Sequence, residues 1–267
     1  MKSILLLVHD DSGQEGRLQV ALDLARGLRG HLTCLDVSIA PEVMDDYVSL
    51  GGAALLMEDE RAAEARNRKR IEPRLAHEDV PWDWIDVAGN LGDQVVRAAR
   101  LSDLIVVSAK LPSFATHDMA NLPGELLIRT NRPILAVPES AIGLNLTGTA
   151  VVAWDGSPEA EAALRAAVPL LQLATSVTLL EIDDGSVALP ASDAATYLSR
   201  HGVKPVISTL SAGGNSASTV ILKEIGNQAA DYLVMGGFGH ARLTEALFGG
   251  VTRRLLEDCP VPILLAH

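Results

Sequence analysis

Asp231-Tyr-Leu-Val-Met-Gly236-Gly-Phe-Gly239-His240, followed nine residues after Gly239 by Gly249-Gly250-Val251-Thr252, is the stretch on which the reading of this chain turns. An apolar run ending in glycine is a buried strand that feeds a turn, and the second glycine pair opens a helix. Working outward, the stretch has a partner. Asp231 to Gly236 matches Asp103-Leu-Ile-Val-Val-Ser108, an offset of 231 − 103 = 128. Val261-Pro-Ile-Leu-Leu-Ala266 matches Arg132-Pro-Ile-Leu-Ala-Val137 at 261 − 132 = 129. Ala150-Val-Val-Ala-Trp-Asp155-Gly-Ser157 matches Ile4-Leu-Leu-Leu-Val-His-Asp10-Asp-Ser12 at 155 − 10 = 145. Anchors at both ends with a length change between them imply two copies of one domain, the first carrying an insertion after its second strand. The Pro/Gly/Ser/Asn stretch Pro138–Thr147 reads as the linker. The expected domains are therefore residues 1–140 and 148–267.

Each copy alternates strand and helix. In the second, strands are expected at 150–154, 177–182, 204–210, 231–236 and 261–266, with helices at 158–174, 191–201, 216–229 and 243–257. Ser157-Pro-Glu159 supplies an N-cap, a proline at the first helical position and an early acid. In the first copy, strands fall near 3–9, 32–38, 83–88, 103–108 and 133–137, and helices near 14–28, 53–77, 92–101 and 119–129. Alternation of this kind predicts an α/β fold with open parallel sheets, helices on both faces and right-handed crossovers. Ligands of such sheets bind beyond the carboxyl ends of the strands, where the strand order switches, so the loops after the first and fourth strands are the candidate site.

Those loops carry chemistry. Gly236 and Gly239 let a backbone approach an anion closely and take positive φ. Gly249-Gly250-Val251-Thr252 presents unpaired amides at a helix N-terminus, where the helix dipole favours negative charge, and Thr252 adds a hydroxyl. Asp155 ends the first strand, where a carboxylate can hold ribose hydroxyls. Taken singly, each has a plainer reading: a turn glycine, a close helix contact, a strand-end turn. Their joint placement on the two switch-point strands reads as a ribose end and a phosphate end of one nucleotide.

Gly-x2-Gly-x9-Gly followed by a small or hydroxyl residue resembles the signature of the universal stress proteins (the universal stress protein A family). Asp155-Gly-Ser-Pro158 and the terminal Cys259-Pro-Val-Pro-Ile-Leu-Leu265 fit the same pattern. The resemblance covers the chain as a tandem pair, strongly in 148–267 and faintly in 1–138. It implies two Rossmann-like, adenine nucleotide alpha hydrolase-like domains of five strands each in the order 3-2-1-4-5. It further implies Asp155 at the ribose, Ala153 and Ile182 near the adenine, and Met235, Gly236, Gly239, Gly249, Gly250, Val251 and Thr252 around the phosphates. The ligand implied is ATP, or ADP or AMP, with or without Mg²⁺. In the family the last strands pair, here 133–137 with 261–266, which gives a pseudo-dimer within the chain; whole chains are expected to dimerise further. Two positions depart from the pattern. Gly250 stands where the family usually has Ser or Thr, and Phe238 stands where a basic residue often precedes the second glycine. His240, Arg242, Arg253 and Arg254 are alternative sources of positive charge, or else solvated helix-face residues.

The first copy has lost these features. By the repeat its loop positions are Ser108, Leu111, Ala120 and Asn121, with no glycine among them, and Asp11 replaces Gly156 where it would repel an anion. At most one nucleotide per chain is expected. The insertion Met44–His77 reads as an amphipathic helix with intrahelical ion pairs, and its Arg66–Arg70 run as a solvated face or a docking patch.

Composition sets the outer limits. The 267 residues are 48% hydrophobic but only 3% aromatic, so the core is aliphatic. A net charge of −12 excludes a general nucleic-acid binder. No apolar run approaches the ~18 residues of a membrane span, and Ile4–Val8 runs straight into His9-Asp10-Asp11 rather than into a signal peptide. The expected location is cytoplasmic. Cys34 and Cys259 lack metal-ligand spacing, as do the seven histidines, and no nucleophile–base pair stands out, so neither a catalytic residue nor a metal ligand is assigned. The leading reading is a stress-response protein with a regulatory nucleotide in its second half. Two others stay open: slow ATP hydrolysis or self-phosphorylation at Thr252, Thr244 or Ser157, and an interaction scaffold that holds no nucleotide.

Overall fold

The computed structural model describes residues 1–39, 50–110, 122–183, 187–237 and 250–267, with side chains of the second stretch described from residue 57. The first half runs β1 (Ser3–Val8), α1 (Gln14–Leu28), β2 (His31–Ile39), α2 (Leu50–Leu75), β3 (Trp82–Gly89), α3 (Leu91–Ala98), a 3-10 turn (Ala99–Leu101), β4 (Leu104–Ser108), α4 (Leu122–Thr130) and β5 (Ile134–Val137). The second runs β6 (Thr149–Trp154), α5 (Pro158–Leu171), β7 (Ser176–Asp183), α6 (Ala191–Arg200), β8 (Val206–Ser211), α7 (Ala217–Asn227), β9 (Tyr232–Gly236), α8 (Gly250–Asp258) and β10 (Ile263–Ala266). These elements fall within a few residues of the spans expected from the repeat. The helix expected over 243–257 is described only from Gly250, and the one over 119–129 only from Leu122.

The ten strands form one sheet in the order β3-β2-β1-β4-β5-β10-β9-β6-β7-β8. Every neighbouring pair is parallel except β5 and β10, which meet antiparallel with Leu135 opposite Leu264. The α/β expectation holds, each half follows the strand order 3-2-1-4-5, and the antiparallel pairing of β5 with β10 joins the halves into a single sheet. Leu135, Ala136, Leu264 and Leu265 are all 0% exposed. A short apolar strand at a sheet edge leaves both its amides and its side chains uncovered, and mutual pairing removes both defects at once.

Helices α1, α2, α5 and α6 cover one face, and α3, α4, α7 and α8 the other. Each face thus has a core that continues across the join between the halves. The stretch read as a linker takes part in it. Leu144 and Leu146 are buried, Leu146 packs against Gly27 of α1, and the amide of Leu144 donates to Asp23 at 2.9 Å. Among the described residues no helix is long and apolar enough to cross a membrane.

Local sequence explains how the strand ends are set. Ser157 caps α5 by accepting from the amide of Ala160 at 3.2 Å, with Pro158 first in the helix and Glu159 and Glu161 in its first turn. The insertion helix α2 is held by arginines that reach outward as well as along the helix. Arg68 pairs with Glu72 one turn on and with Asp86 of β3, Arg70 with Asp10 at 2.6 Å, and Arg74 with Glu15 at 2.7 Å. Within the Arg66–Arg70 run, Arg68 and Arg70 therefore fasten α2 to β3 and to the loop after β1, while Arg74 fastens it to α1.

Candidate functional site

In the second half, β6 lies beside β9, and β9 beside β10, so the carboxyl ends of the switch-point strands are neighbours. Ala153 (β6), Ile182 (β7), Met235 (β9) and Val251 (α8) belong to one apolar cluster on the α7–α8 face. Asp155 stands exposed just past the end of β6. Its carboxylate accepts from the amide of Ser157 at 2.9 Å, and its carbonyl accepts from the amide of Ala188 at 2.8 Å. The intervening Gly156 has φ of +73°, and a Cβ there would collide with the backbone of Leu189. The bend that presents Asp155 therefore needs glycine on two counts.

Gly236 has a packing role in the structure. It is the last residue of β9, in extended conformation, and the space where a Cβ would sit is taken by the first turn of α5. Ala160 N would be 2.6 Å away and the Glu159 carbonyl carbon 2.7 Å. Its glycine seats α5 on the sheet at the candidate site. The positive φ expected at Gly236 belongs instead to Gly156.

α8 is described from Gly250, which is exposed and has nothing within 4 Å of an added Cβ among the described residues; Val251 is half-buried and Thr252 buried. Gly239 and Gly249 lie outside the described residues, as do Phe238, His240 and Arg242. The other two candidate cations are engaged. Arg253 pairs with Glu257 at 3.0 Å. Arg254 donates to Thr219 of α7 at 2.9 Å and faces Asp258 at 3.5 Å.

The corresponding corner of the first half is filled by protein. Arg17 of α1 is 0% exposed and runs under the end of β1. Its guanidinium holds Asp11 at 2.7 Å, bonds the Ser108 hydroxyl, and donates to the carbonyls of Leu7 and His9 at 3.2 Å. Asp11 was expected to oppose an anion by its charge; that charge is neutralised, and Arg17 occupies the corner. Beside it lies a group that residue spacing did not reveal. His9 Nδ1 is 2.6 Å from Glu64, and ligand atoms of His9, Glu60 and Glu64 all lie within 4.8 Å of one another. Asp36 of β2 adjoins them. Burial first, then the charges of Glu64 and Asp86, push its carboxyl up to about 8. Burial alone would lower the His9 imidazole, but the hydrogen bond and charge of Glu64 outweigh it and hold it above its ordinary value. One sequence signal was available. Glu64 and Asn67 continue the Ile71–Leu75 stripe of α2 and are buried like it, so polar side chains stand where the helical period calls for apolar ones.

Both thiols are buried. Burial pushes Cys34 up to about 12 and Cys259 up to about 11, so neither is a ready thiolate.

Comparison with known proteins places this geometry. Residues 147–267 match the model of the universal stress protein family. No curated protein matches the sequence. Among solved structures, a universal stress protein from Archaeoglobus fulgidus superposes with a TM-score of 0.71 at 14% identity, over 99% of this chain and 96% of its own. A functionally unknown protein from Pseudomonas aeruginosa gives 0.63 at 16% identity, covering 100% of this chain and 92% of its own. A putative universal stress protein from another strain of that organism gives 0.61 at 17%, over 100% and 93%. At such identities the likeness is one of fold, and it extends through the N-terminal half. Residues 147–267 thus carry a universal stress protein domain, and the first half of the chain repeats its fold.

Proposed function

We propose that the chain is a cytoplasmic stress-response protein in which residues 148–267 bind one adenine nucleotide, ATP with Mg²⁺, as a regulatory ligand, while residues 1–140 form a degenerate partner domain that holds none. Three features support this reading: Asp155 is exposed on a fixed bend past β6, Ala153, Ile182, Met235 and Val251 belong to the apolar cluster on the α7–α8 face, and α8 is described from an exposed Gly250. The apolar residues suit a purine, the carboxylate a ribose, and the amides of α8 a phosphate. Mg²⁺ would arrive with the phosphates and offset their charge. Gly239 and Gly249 complete the phosphate loop in this proposal. The first half is assigned no ligand because the buried Arg17 bonds both Asp11 and Ser108 at the corresponding strand ends.

Titration calorimetry with ATP and Mg²⁺ is expected to give one site per chain. Asp155→Ala should weaken binding by about tenfold, equivalent to the loss of ~1.4 kcal/mol from a charge-assisted hydrogen bond. If freshly purified, denatured protein releases no nucleotide and millimolar ATP gives no heat, the proposal fails. Labelled ATP separates a regulatory ligand from a substrate, since steady turnover would assign hydrolysis to the same site.

Gly250 offers a gain-of-function check. A Cβ there meets nothing within 4 Å among the described residues, so Gly250→Ser adds a hydroxyl in the proposed first turn of α8 without colliding with any of them. ATP affinity should rise by about two- to tenfold, the worth of one net hydrogen bond. Equal or weaker binding by a normally folded variant would remove α8 from the phosphate site.

A further inference from the structure

The group beside β1 in the first half has the chemistry of a cation site, and it is independent of the nucleotide reading. His9, Asp36 and Glu64 are each 3% exposed, and they come from β1's carboxyl end, from β2 and from α2. Glu60 adds a fourth donor one turn before Glu64 on α2. Asp36 lies within hydrogen-bonding reach of Glu64, carboxylate to carboxylate, and its Oδ1 has no hydrogen-bond partner. A buried carboxylate oxygen facing a second carboxylate is costly unless a proton or a cation lies between them.

The nearby arginines are otherwise engaged. Arg17 is bonded to Asp11 and Arg70 to Asp10, while Arg68, which feels the charge of Asp36, forms its ion pairs with Glu72 and Asp86. Glu64 is contacted by His9 and, at 3.4 Å, by the side-chain amide of Asn67.

We propose that His9, Asp36, Glu60 and Glu64 bind one divalent transition cation, Zn²⁺ or Mn²⁺, which clamps the insertion helix α2 to the sheet. The donor set is one imidazole nitrogen with carboxylate oxygens, the mixture that suits these ions. In a tetrahedral zinc site with bonds of about 2.0–2.1 Å, ligand atoms stand roughly 3.3 Å apart. His9, Glu60 and Glu64 already hold ligand atoms within 4.8 Å of one another, and Asp36 adjoins them through Glu64. The cation would answer the unpartnered oxygen of Asp36, and it would tie together two strands and a helix that are far apart in sequence.

The test uses the full chain stripped with a chelator and then titrated with Zn²⁺ and, separately, Mn²⁺. One ion per chain is expected, bound with Kd of about 10 μM or tighter, and a Tm that rises with free metal. Glu64→Gln and Asp36→Asn, which keep side-chain shape, should each weaken binding by at least about tenfold. His31→Ala should leave binding unchanged, because His31 and Asp83 are an exposed pair elsewhere on the sheet. Without metal, Asp36→Asn should melt above the unsubstituted chain, since it removes one of two facing carboxylates. If neither ion binds tighter than about 1 mM, or if Glu64→Gln and Asp36→Asn bind as the unsubstituted chain does, the site does not exist. Should both variants fail to fold, stoichiometry and the perturbation of the His9 ring resonance in the unsubstituted chain decide.

Discussion

Replacing Arg17 by leucine is expected to destabilise the chain by about 3–5 kcal/mol, the cost of breaking a buried ion pair from one side. The guanidinium is fully buried, and the Asp11 side chain that it holds is 2% exposed. Leucine would fill much of the volume, but it would strand a carboxylate, the Ser108 hydroxyl and the carbonyls of Leu7 and His9. Against a typical total of about 5–15 kcal/mol, this loss is large, and thermal melting should show it as a fall in Tm of roughly 10 °C. The pair itself need not stabilise the fold, because removing two charges from water costs about as much as their attraction returns. Arg17→Leu combined with Asp11→Ala should therefore recover a good part of the loss. Melting within about 1 °C of the unsubstituted chain for Arg17→Leu alone would show that water reaches Asp11 and that the corner is open.

The asymmetry between the halves explains what the sequence made legible. Strands such as Ile4–Val8 and Ala150–Trp154 announce themselves, since a buried parallel strand is an unbroken aliphatic run and nothing else in the chain resembles it. Ser157-Pro158 marks the start of α5 through local chemistry alone. The pairing of β5 with β10 was anticipated from the family resemblance, and the apolar character of both strands agreed with it. The way the cores join on the α1 face was not, because Leu144 and Leu146 fold back onto α1 from a stretch whose composition reads as linker. Long-range polar contacts were the least visible. Asp11 looked like a repulsive charge because its partner is a helix residue with no motif of its own. The packing role of Gly236 was hidden because no pattern in the loop shows that α5 rests against it. His9, Asp36 and Glu64 sit in three separate elements, and only the placement of the insertion helix brings them together.

Gly156 offers the sharpest connection between fold and candidate site. Gly156→Ala imposes a left-handed conformation on an L-residue, worth about 1–2 kcal/mol. It also drives a methyl group into the backbone of Leu189, where overpacking costs a further ~1–3 kcal/mol. Gly202 separates the two contributions, because it has φ of +80° and nothing within 4 Å of an added Cβ. Gly202→Ala should lower stability by the conformational cost alone, and Gly156→Ala by roughly twice that or more. Equal losses in the two variants would mean that the 187–190 segment yields freely. The binding readout sharpens the contrast. Asp155 precedes the bend and also holds Ala188 through its carbonyl, so a shifted Leu189 moves the carboxylate from the ribose position. Gly156→Ala should therefore lose at least about tenfold in ATP affinity while still folded, since a displaced donor or acceptor forfeits its hydrogen bond. Gly202→Ala, on the far side of α6, should bind ATP as the unsubstituted chain does. If both variants kept full affinity, Asp155 would not be the ribose ligand, and its place at the end of β6 would be explained by the turn to Ser157 alone.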